Sequence, residues 1–164
     1  GGKVHPFSGF TMSVCQLRPE SRGFVRIQSA DPLMPPKMFA NYLATQHDRD
    51  TSVAAVNFAR KISQTEPLRS LITREVKPNN PQTDDVVLEY CRNNGATIFH
   101  PTGTCQMGPD SNPMAVLDSS LRVRGVQGLR VVDCSAMPTV PSGNTNWPAV
   151  MLGERAADLI LGRI

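Results

Sequence analysis

Fourteen prolines and twelve glycines are spread over these 164 residues, and more than any other feature they hold the chain to short elements joined by loops. The stretch Asp31 to Pro36 (DPLMPP) is closed to helix, because its three prolines remove donors and push their predecessors toward extended geometry. Upstream, Phe10 to Leu17 and Gly23 to Ser29 are rich in β-branched, aromatic and alternating residues, and RPESRG separates them. They read as two antiparallel strands joined by a hairpin.

Beyond the prolines the periodicity changes. From about Asp48 to Gln64, Val53, Val56, Ala59 and Ile62 step along one helical face, with Arg60 and Lys61 near the end where they suit the dipole. Glu66–Pro67 restarts a short helix through Leu71, and Lys77 to Pro81 is a loop. Thr83 then has the position of an N-cap for a helix from Asp84 to Asn93, with Gly95 just past its end. Ala96 to Phe99 and Ala115 to Leu117 read as short extended pieces, and Leu121 to Arg124 and Leu129 to Val132 as strands separated by Gly125 and Gly128. The last helix has Asn146 to cap it, Pro148 in its first turn and Gly162 at its C-cap. Ala149, Gly153, Ala156, Ala157 and Ile160 give it a face of small residues suited to close approach of a sheet. Four to six short strands and three or four helices make the class α+β.

The length suffices for one compact domain with its own core and a small second lobe. A net charge of +3, scattered and with no basic run interleaved with aromatics, gives no reason to expect a nucleic-acid partner. No apolar stretch approaches the roughly 18 residues that a membrane helix needs, so membrane association is not indicated. The N-terminus has no signal-peptide core, and Gly1–Gly2 has the look of a cloning scar or an excision point. Cys15, Cys91, Cys105 and Cys134 show no paired spacing. They are expected to be reduced, which suggests a cytoplasmic protein.

Two stretches carry chemistry: HPTGTCQMG from His100 to Gly108, and SGNTNWP from Ser142 to Pro148. An imidazole on one loop and a carboxamide on another supply a base and a neutral hydrogen-bond donor, a pair suited to a hydroxyl that must lose its proton. Plainer roles stand beside these. His100 can be a structural hydrogen-bonder, Asn144 a turn former and Asn146 a helix cap, and Asp133 can cap the SAMP turn. His5 and His47 lie in loop-like, solvated sequence. No metal is expected, since His100 and Cys105 lack the further ligands of a tetrahedral site. Ser135 and Ser142 invite a hydrolase reading with His100 and Asp133, but the GxSxG elbow is missing.

Taken in order, VCQLRPESRGFVRIQSADP from Val14, then HPTGTCQMG, LRVRGVQGLRVVDCSAMPTVPSGNTNWP and GERAADLI, this chain resembles the C-terminal part of the glucose–methanol–choline (GMC) flavin oxidoreductases. That is the family of choline dehydrogenase, choline oxidase and glucose oxidase, and the TVPS and GNTN strings are most similar to its choline and alcohol dehydrogenase branch. The resemblance implies a fragment. Residues 1–114 would form the substrate-binding lobe, an antiparallel sheet with helices, and 115–164 the terminal strands and helix that complete the FAD-binding domain. It also implies roles. His100 would accept the hydroxyl proton, with Asn144 as the second catalytic residue. Asp133, with Cys134 beside it, would contact FAD, and Asn146 and Trp147 would lie at the turn near the flavin. The final helix, capped by Asn146, would aim its positive N-terminus at the flavin's pyrimidine edge.

Two departures qualify that expectation. The family usually carries a small or β-branched residue where this chain has Trp147, the one visible candidate for an aromatic contact to a quaternary ammonium. The chain also lacks the GxGxxG strand–turn–helix whose backbone N–H groups cradle the FAD pyrophosphate. The reading is therefore the C-terminal part of an FAD-dependent enzyme oxidising a primary alcohol. By itself the chain would be silent, dependent on a missing N-terminal FAD-binding part, and prone to self-associate through its last helix. The rival reading is a binding or interaction module that retains the fold without the cofactor.

Overall fold

A computed structural model describes residues 5–81 and 83–164. Gly1 and Gly2, read above as a scar, lie outside the described residues. Among the latter are two short strands, β1 (Phe24–Arg26) and β2 (Lys37–Phe39), and four α-helices: α1 (Gln46–Ser63), α2 (Leu68–Leu71), α3 (Asp84–Asn94) and α4 (Asn146–Leu161). A single 3₁₀ turn spans Cys134–Ala136. The backbone divides into two compact units, one built from the described part of Gly1–Gln16 with Thr45–Gly95, the other from Leu17–Ala44 with Ala96–Ile164.

The first unit is helical. Thr45 caps α1 by accepting from the Asp48 N–H, and Arg60 and Lys61 fill its last turn. Its inward face holds Val53, buried, with Val56 and Ala59 half-buried, and α1 packs on α3. Thr83 caps α3 through the Val86 N–H, as its position in the sequence demands. Val87, 1% exposed, is the buried centre of α3. Asn57 on α1 donates to Asp84 at 3.1 Å, and Arg60 reaches both Glu75 and Asn80, pinning the KPNNP loop. His47 lies in the first turn of α1 rather than in a loop, and is exposed. Phe10–Gln16 forms no strand.

In the second unit β1 finds its partner downstream. It pairs antiparallel with β2, Phe24 opposite Phe39 with ring centroids 5.5 Å apart. The expected pairing with Phe10–Leu17 therefore fails. Asp31 to Pro36 is itself the connection between the strands: the Asp31 carbonyl accepts from the Met34 N–H, its carboxylate from the Leu33 N–H, and Gln28 bonds the Pro35 carbonyl. The prolines stop a helix, as expected, but they also return the chain so that an aromatic pair can close.

Leu121 to Arg124 and Leu129 to Val132 are likewise not strands. Single bridges join Leu117 to Met107 and Val123, and Arg122 to Arg130. Gly125 and Gly128, both at positive φ, turn the chain too sharply for a ladder to extend. Arg124 fastens this turn to the preceding loop, donating to Asp110 and to the Gly108 carbonyl at 2.8 Å. Beneath lies the core, where Leu117, Leu121, Ala136 and Met137 pack against Leu152 and Ala156 of α4. The inward face of α4 is thus Leu152 and Ala156, buried, with Ala149 half-buried beside them. Gly153, Ala157 and Ile160, assigned above to sheet contact, are exposed. Gly162 ends the helix at φ 65°, a left-handed cap that suits a residue without Cβ. Among the described residues no helix is long and apolar enough to cross a membrane.

Candidate active site

Three loops of the second unit meet at one buried residue that the sequence did not mark, Thr145. His100 follows Phe99, whose backbone is left-handed (φ 63°), so the chain turns sharply just before the imidazole. The ring is half-buried, and its Nδ1 lies 2.9 Å from the Thr145 hydroxyl. The Thr145 backbone N–H donates to the same nitrogen at 3.4 Å. Among the described residues nothing engages Nε2.

From the second loop, Cys134 directs its Sγ toward the Thr145 carbonyl at 4.0 Å, a weak contact. Asp133 is exposed and caps the 3₁₀ turn, accepting from the Ser135 N–H at 2.7 Å. The plainer role considered for Asp133 is therefore realised, and the carboxylate remains on the surface. Core packing explains the placement: Ala136 and Met137, buried just beyond, pull the turn inward and leave Asp133 at its rim.

The third loop brings Asn144 and Asn146, both exposed, on either side of Thr145. Asn146 does not cap α4. Thr145 already has helical backbone (φ −85°, ψ −4°) and occupies the N-cap, which puts Asn146 inside the first turn. Trp147, 77% exposed, stands next to it. The structure thus brings His100 and Cys134 into contact with Thr145, sets Asn144 and Asn146 beside it in the chain, and leaves Asn144, Asn146 and Trp147 facing outward. Thr145 escaped sequence reasoning because a threonine at a helix start is ordinarily read as a cap, and Asn146 competed for that part.

Chemically the cluster offers a ring nitrogen with no partner among the described residues, exposed carboxamides and an exposed carboxylate. A hollow of about 510 Å³ in the Arg122–Arg130 turn is lined by neither His100 nor Asn144. Among the described residues no group of three acidic, histidine or cysteine side chains could hold a metal ion.

Residues 19–153 match a family model described as GMC oxidoreductase. The chain is 44% identical over 154 residues to an oxygen-dependent choline dehydrogenase of Vibrio vulnificus, an alignment covering 93% of this chain and 28% of that protein. It is 38% identical over 165 residues to an alcohol dehydrogenase (acceptor) of Pseudomonas putida, covering 100% of this chain and 30% of the other. Among solved structures, an FAD-dependent oxidoreductase from Chaetomium thermophilum superposes with a TM-score of 0.84 at 31% identity, over 90% of this chain and 26% of that one. The chain thus spans less than a third of the length of these relatives.

Proposed function

The chain belongs to the GMC oxidoreductase family, and from that premise we propose that it is the C-terminal part of an FAD-dependent enzyme that oxidises a primary alcohol of the choline or simple-alcohol kind. His100 accepts the hydroxyl proton and Asn144 donates its amide N–H to the developing alkoxide. The observation that supports this best is the arrangement at Thr145: Nδ1 of His100 lies 2.9 Å from its hydroxyl, Nε2 has no partner among the described residues, and Asn144 is next to Thr145 in the chain and exposed. An aliphatic hydroxyl is far less acidic than imidazolium, so orientation must do most of the work of removing its proton. A neutral imidazole accepts it through Nε2, and a carboxamide stabilises the oxygen without adding a second titrating group.

The residues present fit one side of a flavin dinucleotide. Asp133 offers an exposed carboxylate held in place by the Ser135 N–H, while Asn146 and Trp147 are exposed on the first turn of a helix whose N-cap side chain is engaged elsewhere. These residues, with Cys134, would hold FAD, which when bound supplies the hydride acceptor. A second part carrying a glycine-rich phosphate loop is required, and the 164 residues on their own oxidise nothing. Within the whole enzyme we assign 1–114 to the substrate-binding lobe and 115–164 to the completion of the FAD-binding domain. A cytoplasmic location belongs to the same proposal, supported by four free thiols.

The test is the full-length protein carrying His100→Gln or Asn144→Ala. We expect His100→Gln to lower kcat by about 10²–10⁴-fold with flavin content retained, and Asn144→Ala by on the order of 10²–10³-fold. Alcohol oxidation at the parent rate in His100→Gln overturns the assignment.

A further inference from the structure

We propose that Thr145 is a positioning residue whose hydroxyl sets the tautomer of His100. The inference rests on the reading of His100 as the proton acceptor.

Among the described residues three helices start at a threonine, and two of those threonines behave alike. Thr45 and Thr83 have extended backbone and accept from the Asp48 and Val86 N–H groups. Thr145 has helical backbone and caps nothing. The residue three places on, which supplies the N–H at the other two starts, is here Pro148, so that donor is missing and the hydroxyl is left to the titratable ring beside it. Thr145 is 5% exposed, which leaves its hydroxyl little access to water as an alternative partner.

The two bonds to Nδ1 differ in what they permit. A backbone N–H can only donate, so the 3.4 Å bond favours a bare Nδ1 and hence, in the neutral ring, a proton on Nε2. A ring in that state cannot accept at Nε2. A hydroxyl both donates and accepts, so at 2.9 Å Oγ1 can accept a hydrogen bond from a protonated Nδ1, the neutral tautomer in which Nε2 is bare. During the reaction the substrate O–H bond breaks and an Nε2–H bond forms. The ring becomes imidazolium, and its Nδ1–H remains donated to Oγ1. The shorter of the two contacts is therefore the one that makes the base-competent tautomer available.

Thr145→Val keeps the shape, removes the hydroxyl and leaves the backbone N–H in sole control. In the full-length flavoenzyme we expect kcat to fall by at least about 10–100-fold, the range for losing the partner that orients a metal-bound histidine, with KM little changed. Thr145→Ser should recover most of the rate. Long-range ¹H–¹⁵N spectra of histidine-labelled enzyme should show protonated Nδ1 at His100 in the parent and in Thr145→Ser, and bare Nδ1 in Thr145→Val. Thr145→Ala, which removes no cap here, repeats the comparison if the valine variant fails to fold. Parent-like kcat in both the valine and alanine variants, or an unchanged tautomer signature, overturns the inference. If His100→Gln is silent while Thr145→Val is fully active, this inference alone falls. If His100→Gln is active, the base assignment falls with it.

Discussion

Gly23 lies directly beneath the carbonyl of Phe39: a Cβ at that position would run into the Phe39 oxygen and come within 2.8 Å of the Ala40 oxygen. The residue immediately before β1 is thus pressed onto the end of β2, and the hairpin closes because there is no side chain in the way. Asn41 and Ala44, bonded to the Arg22 carbonyl and the Ser21 hydroxyl, hold the same junction from outside.

Gly23→Ala should therefore separate the two strands or shift their register. Overpacking of this kind costs about 1–3 kcal/mol, and here the obstacle is backbone, which cannot swing aside. Denaturant unfolding of the variant checks the loss. Hydrogen exchange at Val25 and Met38 localises it. Parent-like protection at both would mean that the junction yields more easily than its geometry suggests.

How much of this was legible in advance divides along physical lines. Helices α1, α3 and α4 were readable because caps and a 3.6-residue period are local properties, written within a single turn of their effect. The strands were readable only in part: Gly23 to Ser29 does hold β1, but its partner is β2 and not Phe10–Leu17. Three-residue β1 is defined by a partner beyond a proline loop, and nothing in Phe10–Leu17, which has the better β composition, reveals that it goes unpaired. The site divides the same way. His100 and Asn144 stood out by motif, but Thr145 became visible only when residues 45 positions apart came into contact.

A pH dependence follows from Asp118. Its carboxylate accepts from the Arg122 N–H at 2.9 Å and the Ser120 N–H at 2.8 Å. The Arg122 N–H, then that of Ser120 and the nearby charges of Arg122 and Arg124, hold its pKa below the ordinary value against a partial desolvation that opposes them. A carboxylate with a depressed folded pKa contributes stability that is present above the unfolded value, near ~3.9. That contribution is lost as pH falls through the folded one. Asp118→Asn should therefore be less stable than the parent at neutral pH, with the gap closing only as the medium becomes more acid than about pH 4. Thermal melts of both proteins at neutral and acid pH measure the gap. A constant difference would argue against the charge.

Exposed apolar surface yields a third expectation. Ile160 and Leu161 on α4 are 60% and 59% exposed, beside Gly153 and Ala157, and Ile27 and Leu33 are 91% and 89% exposed. Patches of this kind mark surfaces that another body covers. The isolated chain should bind a hydrophobic dye and self-associate as its concentration rises, and addition of the FAD-binding part should suppress both. Sedimentation as a monomer, with no dye bound, would contradict this.

The bond between His100 and Thr145 joins positions 45 apart, and that span has a use in engineering. Pro101 to Asn144 is held by its own core contacts and bridges, and lengthening an exposed turn within it is cheap, roughly 0.6 kcal/mol for each doubling of the turn. Val126 and Gln127, at the exposed tip between Gly125 and Gly128, are where a reporter or binding peptide can be grafted while the imidazole keeps its anchor.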